Sequence, residues 1–549
     1  MLLSCAPKHQ GGAAHPLLIV SLAIAMLVGM PIVGVLSNLL TGTEGSELGT
    51  FAHLWATVLP EYIVNSLVLA AIVALLTAVM GIGCAWLVAV FHFPGKKFFE
   101  WALILPLAMP AYVVAYAYTD FLQFTGPIQS GLRAWFGWQG QSYWFPQIRS
   151  VGGAGLLFAF VLYPYVYLLA RNAFIERSPR MWDAARTLGA GPWQAFFQVS
   201  LPLARPAAAA GIALALMETL ADYGAVAYFG VPTLTTGIYK SWYIFSDRNA
   251  AAQIAGVLLL AVMALMLMEQ KGRGRARYYA VGTRSAAQLP TILSGRQGWA
   301  ATAFCSVPVV LGFFAPLLIL LHLLWQAEVI SFSLRYLGWL QNTIILGGVT
   351  ALIAIAICVL MAYAARVSNG KLQAVCNRIV SMGYAIPGAV IAVGILIPLS
   401  YLDNWNAQHG VALVLSGSVM ALVYAYLVRF LAVSLQTVQA GLLKITPAMD
   451  ASARSLGHGL SAMLLRIHVP LLWRSVLTAG LLVFVDVVKE LPATLTIRPF
   501  NFDTLAVITH QLASDERLGE AALPALTIVL IAIVPVFILA RAIAVGRRA

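Results

Sequence analysis

Ser178-Pro-Arg-Met-Trp-Asp-Ala-Ala-Arg-Thr-Leu-Gly-Ala-Gly191, then ten residues and Pro202, is matched by Thr446-Pro-Ala-Met-Asp-Ala-Ser-Ala-Arg-Ser-Leu-Gly-His-Gly459, ten residues and Pro470. Every matched position is offset by 268 (446 − 178). Ser178 and Thr446 are good helix N-caps, whose hydroxyls can accept an orphan backbone N–H. Pro179 and Pro447 then fall at the first helical position, where the missing N–H costs nothing. Gly189 and Gly457 can adopt positive φ and end the short helix. A second helical stretch follows, Phe196 to Leu203 in one copy and Met463 to Leu471 in the other. Pro202 and Pro470 then mark the start of the next apolar run. Each copy reads as a helix–Gly–helix elbow, with Met181 and Met449 on matching faces. An amphipathic helix lying on lipid is the simpler alternative, but lipid demands neither matched glycines nor matched caps.

The chain around the elbows is apolar. Of 549 residues, 61% are hydrophobic and 10% charged, against about 25% charged in soluble domains. Runs of about 20 apolar residues, enough to cross a bilayer, recur about twelve times. They lie near 16–40, 62–91, 98–124, 151–172, 204–230 and 250–270, then near 299–326, 340–366, 376–400, 411–436, 472–498 and 520–545. The fold class is an all-α integral membrane protein; a β-barrel would need alternating segments of about ten residues. The first run lacks a convincing cleavage site and reads as a retained span. The net charge of +13 could indicate nucleic acid, but its distribution argues against that partner. With both termini inside, most Lys and Arg fall on the cytoplasmic side, including Lys96–Lys97, the stretch Lys271 to Arg296, and Arg547–Arg548. That is the positive-inside asymmetry, with anionic membrane lipid as the natural contact. The five cysteines, Cys5, Cys84, Cys305, Cys358 and Cys376, show no CxxC spacing and imply no disulfide framework.

The duplication extends beyond the elbow. Asn65-Ser66-Leu67 matches Asn342-Thr343-Ile344, and Pro110 matches Pro387, both offset by 277 (342 − 65; 387 − 110). The two registers differ because the Gly- and Trp-rich loop Gly126 to Gln147 is longer than its partner, Ser400 to Gly410. Each half has an even number of spans, so the halves are parallel repeats. The expected layout is an extra helix and external loop over 1–60 and a first core over 61–270. A basic cytoplasmic linker over 271–298, an extra helix and loop over 299–337, and a second core over 338–549 complete it. A pseudo-two-fold axis along the membrane normal follows, with a pathway between the halves.

The elbow resembles the EAA loop of type I ABC importer permeases (the MetI-like fold). In that family Glu-Ala-Ala, a Gly and a later Ile-x-Leu-Pro keep fixed spacing. The first copy here reads Asp183-Ala184-Ala185, Gly189 and Val199-Ser200-Leu201-Pro202. The second reads Ala451-Ser452-Ala453, Gly457 and Ile467-His468-Val469-Pro470, with Asp450 one residue before the acidic position. The resemblance implies that both loops are coupling helices, each docking on an ABC ATPase subunit. The chain has no GxxxxGK[ST] phosphate loop. Two copies of a separate ATPase are therefore implied, with ATP and Mg bound there and no cofactor or catalytic residue on this chain. A periplasmic binding protein would deliver the cargo, and the location would be the bacterial inner membrane.

Further stretches are similar to the fused permeases of bacterial ferric-iron importers. These are Glu218-Thr-Leu-Ala-Asp222-Tyr223-Gly224 through Pro232, Lys489-Glu490-Leu-Pro-Ala-Thr-Leu, and Arg498-Pro-Phe-Asn-Phe-Asp503-Thr-Leu. Thiamine and aminoethylphosphonate permeases share much of this layout, so the substrate stays open at this point.

The run after each elbow carries acids. Under the 268 offset, Glu218 matches Asp486 and Asp222 matches Glu490. Four residues apart places each pair on one helical face, and intramembrane charges face a partner or water. One reading is an acidic lining that passes a highly charged cation without a tight metal cage. The other is structural, with Lys489 neutralising Asp486 or Glu490. Asp120 is a further candidate for the lining, after Tyr112, Tyr116 and Tyr118, which read as an interfacial aromatic belt. His458 and His468 fall in the second elbow and read as surface residues. A secondary transporter, with these acids as proton carriers, and a non-transporting receptor or scaffold also fit twelve spans in parallel halves.

Overall fold

Breaks in the helices recur at matched places in the two repeats. The computed structural model describes residues 14–41, 47–140, 142–175, 187, 189, 191–273, 291–327, 333–368, 370–443 and 445–545. Ser178, Pro179, Met181, Asp183, Ala184 and Ala185 lie outside the described residues, as do Cys5, Arg547, Arg548 and most of the basic linker. Leu59–Val90 corresponds to Leu334–Val367, and Val151–Ile175 to Val419–Leu442. The helices after the elbows, Leu201–Ala221 and Val469–Val488, are followed by short helices, Gly224–Tyr228 and Pro492–Ile497. Leu234–Tyr239 and Leu505–Ser514 come next, then the long helices Arg248–Arg273 and Leu518–Val545. An additional apolar helix precedes each set, Ala14–Thr41 and the stretch Gly295–Gln326. Among the described residues the only strands are Phe91–His92 and Thr291–Ile292, paired in parallel.

Among the described residues, eleven helices are long and apolar enough to cross a bilayer, or twelve if one bent pair counts as a span. That pair, Lys96–Ala108 and Ala111–Phe136, bends by 91° where a single span over 98–124 was expected. The residue before a proline is pushed out of the helical region. Met109 is accordingly extended (φ −89°, ψ 120°) before Pro110, and Ile386 (φ −80°, ψ 125°) before Pro387.

The elbow prolines behave differently from expectation. Pro202 and Pro470 lie inside continuous spans, Trp193–Ala221 and Leu460–Val488, which begin well before 204 and 472. A π-turn precedes each proline, Phe196–Ser200 and Leu464–His468. Leu201 N–H bonds Phe196 O and Val469 N–H bonds Leu464 O, each five residues back. The widened turn gives the proline ring room where a regular helix would clash with the preceding carbonyls.

The chain forms two compact units. One comprises Thr41–Leu337 with Thr504–Ala549, the other Met1–Leu40 with Gly338–Asp503. Within the first, Gly81 and Gly211 both press on Val166. A Cβ at either would come within 2.6 Å of that residue. Within the second, a Cβ on Gly394 would lie 2.3 Å from Pro31 O. Such close backbone approach is how membrane helices gain packing contact without a hydrophobic driving force.

Candidate functional site

The second elbow is clamped from within. Pro447–Ser455 starts at Thr446 and Pro447 as expected, but the Thr446 hydroxyl makes no capping hydrogen bond. The organising group is Asp450, which points inward. Its Oδ2 accepts from Arg366 Nε at 2.8 Å, and its Oδ1 pairs with His468 Nε2 at 2.8 Å. Arg366 also donates to Leu442 O (3.0 Å) and Ile445 O (2.8 Å) at the end of the preceding span. One guanidinium thus joins the end of Leu334–Val367, the end of Val419–Leu442 and the elbow helix. Burial alone would raise the Asp450 carboxyl, but the hydrogen bonds and charges of Arg366 and His468 hold it below the ordinary Asp value. His468 is fully buried, not a surface residue, because the π-turn before Pro470 rotates it under the elbow. His458 is half-buried.

Ala453 is buried with Tyr363 and Met463, and Tyr363 OH donates to Leu460 O at 2.8 Å. Met449, Ala451, Ser452, Arg454 and Leu456 are exposed on the elbow. Gly457 ends the helix at φ +82°, and Gly189 takes φ +86° in the first copy. That left-handed conformation disfavours any side chain.

The described part of the first elbow packs on aromatic rings. Trp86, which the 277 offset matches to Tyr363, packs on Phe196 (4.5 Å), Trp193 (5.3 Å) and Phe91 (4.9 Å between ring centroids). Arg366, Asp450 and His468 match Ala89, Trp182 and Ser200. Among the described residues, aromatics pack the later part of the first elbow, whereas an ionic cluster joins the second. Arg366 was not legible as a site residue, although three polar replacements confined to one repeat were a usable signal.

The acids after the elbows do not share helix faces. Each helix breaks between the members of a pair. Leu201–Ala221 ends before Asp222 (φ −72°, ψ 139°), and Val469–Val488 ends before Glu490. The second acid of each pair caps the short helix beyond the break. Asp222 Oδ1 accepts from Ala225 N–H at 2.8 Å. Buried Glu490 accepts from Ala493 N–H (2.9 Å), Thr494 N–H (3.0 Å) and Thr494 Oγ1 (2.6 Å). It also pairs with Arg429 Nη1 at 3.2 Å. Lys489 Nζ meets Asp486 Oδ1 at 3.0 Å. Glu218 and Asp120 are half-buried. No group of three or more His, Cys, Asp or Glu that could hold a metal occurs among the described residues.

Tyr112 and Tyr116 are buried, at 3% and 2% exposure, rather than belted at an interface. The bend at Pro110 turns their helix into the protein. Tyr116 OH lies 2.8 Å from His510 Nδ1.

A duplicated set of apolar helices with a glycine turn in each repeat is the architecture expected of the membrane component of an ABC importer. The chain belongs to the family of binding-protein-dependent transport system inner membrane components, whose model matches residues 78–269. The molybdenum transport system permease ModB of Escherichia coli K12 is 31% identical over 223 residues, 39% of this chain and 94% of ModB. The Fe(3+)-transport system permease FbpB 2 of Haemophilus influenzae is 24% identical over 524 residues, 94% of this chain and 97% of that protein. The sulfate transport system permease CysT of Escherichia coli K12 is 28% identical over 226 residues, 40% of this chain and 79% of CysT. The protein is thus a multi-pass inner-membrane permease with both repeats fused in one chain.

Proposed function

We propose that this permease imports ferric iron, received from a periplasmic binding protein and released inside by alternating access. The observation that carries this reading is coverage. The likeness to the Fe(3+) permease runs through both repeats, 94% of the chain, whereas ModB and CysT match 39% and 40%. Two ATPase subunits, binding ATP and Mg, each engage one elbow, with both termini on their side of the membrane. The exposed face of Met449, Ala451, Ser452, Arg454 and Leu456 supports this docking, as do the glycine turns at Gly189 and Gly457. Family membership favours ATP over an ion gradient as the driving force.

The test is uptake into proteoliposomes containing the permease, its ATPase and its binding protein. Ferric iron is compared with molybdate, sulfate, thiamine and aminoethylphosphonate. ATP-dependent uptake of ferric iron in preference to the others is the expected result. Preferential uptake of another cargo would overturn the iron assignment.

A further inference from the structure

Five phenols and one imidazole gather inside the unit that holds the first repeat's core, on elements too short to cross a membrane. Tyr112 and Tyr116 lie on Ala111–Leu122, beyond the Pro110 bend. Tyr223 and Tyr228 follow the break at Asp222, Tyr239 ends Leu234–Tyr239, and His510 lies on Leu505–Ser514. The Tyr116 ring is 4.6 Å from Tyr228, and Tyr223 is stacked on Tyr239 at 3.7 Å and 5.8 Å from His510. Broken helices at membrane depth are tolerated where they are enclosed by protein or line a pathway.

The repeat explains how His510 arrives here. Thr233 and Thr504 each cap a short helix with the side-chain oxygen. The carbonyl just before each accepts from a matched asparagine at 3.0 Å, Pro232 O from Asn65 and Asp503 O from Asn342. This sets a local offset of 271 (504 − 233), under which His510 is the counterpart of Tyr239. Both pack on Tyr223, so equivalent positions of the two repeats meet on one side chain. The phenols themselves are one-sided. Tyr112, Tyr116, Tyr223 and Tyr228 match Ala389, Val393, Leu491 and Thr496. Ala389, Val393 and Leu491 are fully buried, so apolar residues suffice for packing at those places. Ionisable groups within a membrane fold carry a cost that function usually explains.

We propose that Tyr116, Tyr223, Tyr239 and His510 form the constriction the cargo must pass, and that Tyr116 binds a ferric ion in transit while His510 takes the proton of its phenol. This rests on the ferric-iron reading. As the ion arrives, an Fe–O bond forms to the Tyr116 oxygen and the phenol O–H bond breaks. The proton passes to His510 Nδ1, its hydrogen-bond partner. No electron moves and the iron stays ferric. The imidazolium then repels the ion, and as the ion leaves, the proton returns to the phenolate. The hold is brief, which transport requires.

The experiment uses the complete importer in proteoliposomes, with Tyr116→Phe, His510→Gln and, as a control on the same helix, Tyr118→Phe. Radioactive ferric uptake per ATP hydrolysed is measured, with visible absorption recorded during turnover. The expected result is a fall of about tenfold or more in uptake per ATP for Tyr116→Phe and His510→Gln, and no fall for Tyr118→Phe. A phenolate-to-iron charge-transfer band is expected in wild type and not in Tyr116→Phe. Wild-type iron uptake with both variants unimpaired, or without that band, overturns this inference alone. Absence of ferric uptake by wild type overturns the iron reading and this inference with it.

Discussion

Arg366→Ala should release the second elbow while leaving the first in place. The guanidinium makes close hydrogen bonds to Asp450 Oδ2, Leu442 O and Ile445 O, and its loss leaves Asp450 with His468 alone. Side-chain exposure in the pair is 18% for Arg366 and 12% for Asp450. The cost therefore falls between an exposed pair, about 0–1 kcal/mol, and a fully buried one, about 3–5 kcal/mol. We take about 2–3 kcal/mol, which corresponds to roughly 30- to 150-fold in the opening equilibrium. Hydrogen exchange reads that equilibrium by segment. Amides of Pro447–Ser455 should exchange faster by that factor, with little change around Trp193 and Phe196. The pH dependence has a defined sign. Asp450 titrates below its unfolded value, so its contribution is complete above the ordinary Asp pKa of about 3.9. It is lost as pH falls through the lowered folded value. Wild type and variant should therefore differ most at neutral pH and less in acid, where the hydrogen bonds of Arg366 to Leu442 O and Ile445 O remain. Exchange in the elbow within about twofold of wild type at neutral pH, or an equal increase in both elbows, would refute the clamp.

Trp86→Ala should loosen the first elbow instead, at about 3–5 kcal/mol for removal of a buried aromatic. Exchange over Trp193–Ser200 should rise by the same amount at low and high salt, since the packing that Trp86 supplies is apolar. Glu490→Ala strips the cap from Pro492–Ile497 and removes the buried carboxylate that pairs with Arg429, a loss of about 3–5 kcal/mol. Glu490→Gln keeps the acceptor oxygen and should retain more of the thermal midpoint of the detergent-solubilised protein. Equal midpoints for the two variants would contradict the capping role.

The repeat, the helical class and the glycine turns were legible because they rest on local residue chemistry. Gly189 and Gly457 needed only their spacing from Pro179 and Pro447 in the sequence. The helix breaks were harder to read. Periodicity carries Leu201–Ala221 through Asp222, where the competing cap on Ala225 N–H and the Thr235 hydroxyl on the Asp222 carbonyl hold the break. Asp486 and Glu490 are four apart in sequence, yet the helix ends between them. Pro202 and Pro470 read as boundaries because a regular helix cannot hold them, and the π-turns that accommodate them leave no simple pattern. The contact of Arg366 with Asp450 joins residues 84 apart, and that of Tyr116 with His510 joins residues 394 apart. Such pairings depend on tertiary packing that no window of sequence contains.

The central claim is that the elbows convert ATP hydrolysis into movement of the permease. Gly189→Val and Gly457→Val place a β-branched residue at φ +86° and +82°, a strain of about 1–3 kcal/mol each, in the parts proposed to meet the ATPase. The most direct measurement is uptake per ATP hydrolysed by the reconstituted importer carrying either substitution. The account predicts continuing hydrolysis with uptake per ATP reduced about tenfold or more. An unchanged ratio in both variants would contradict it.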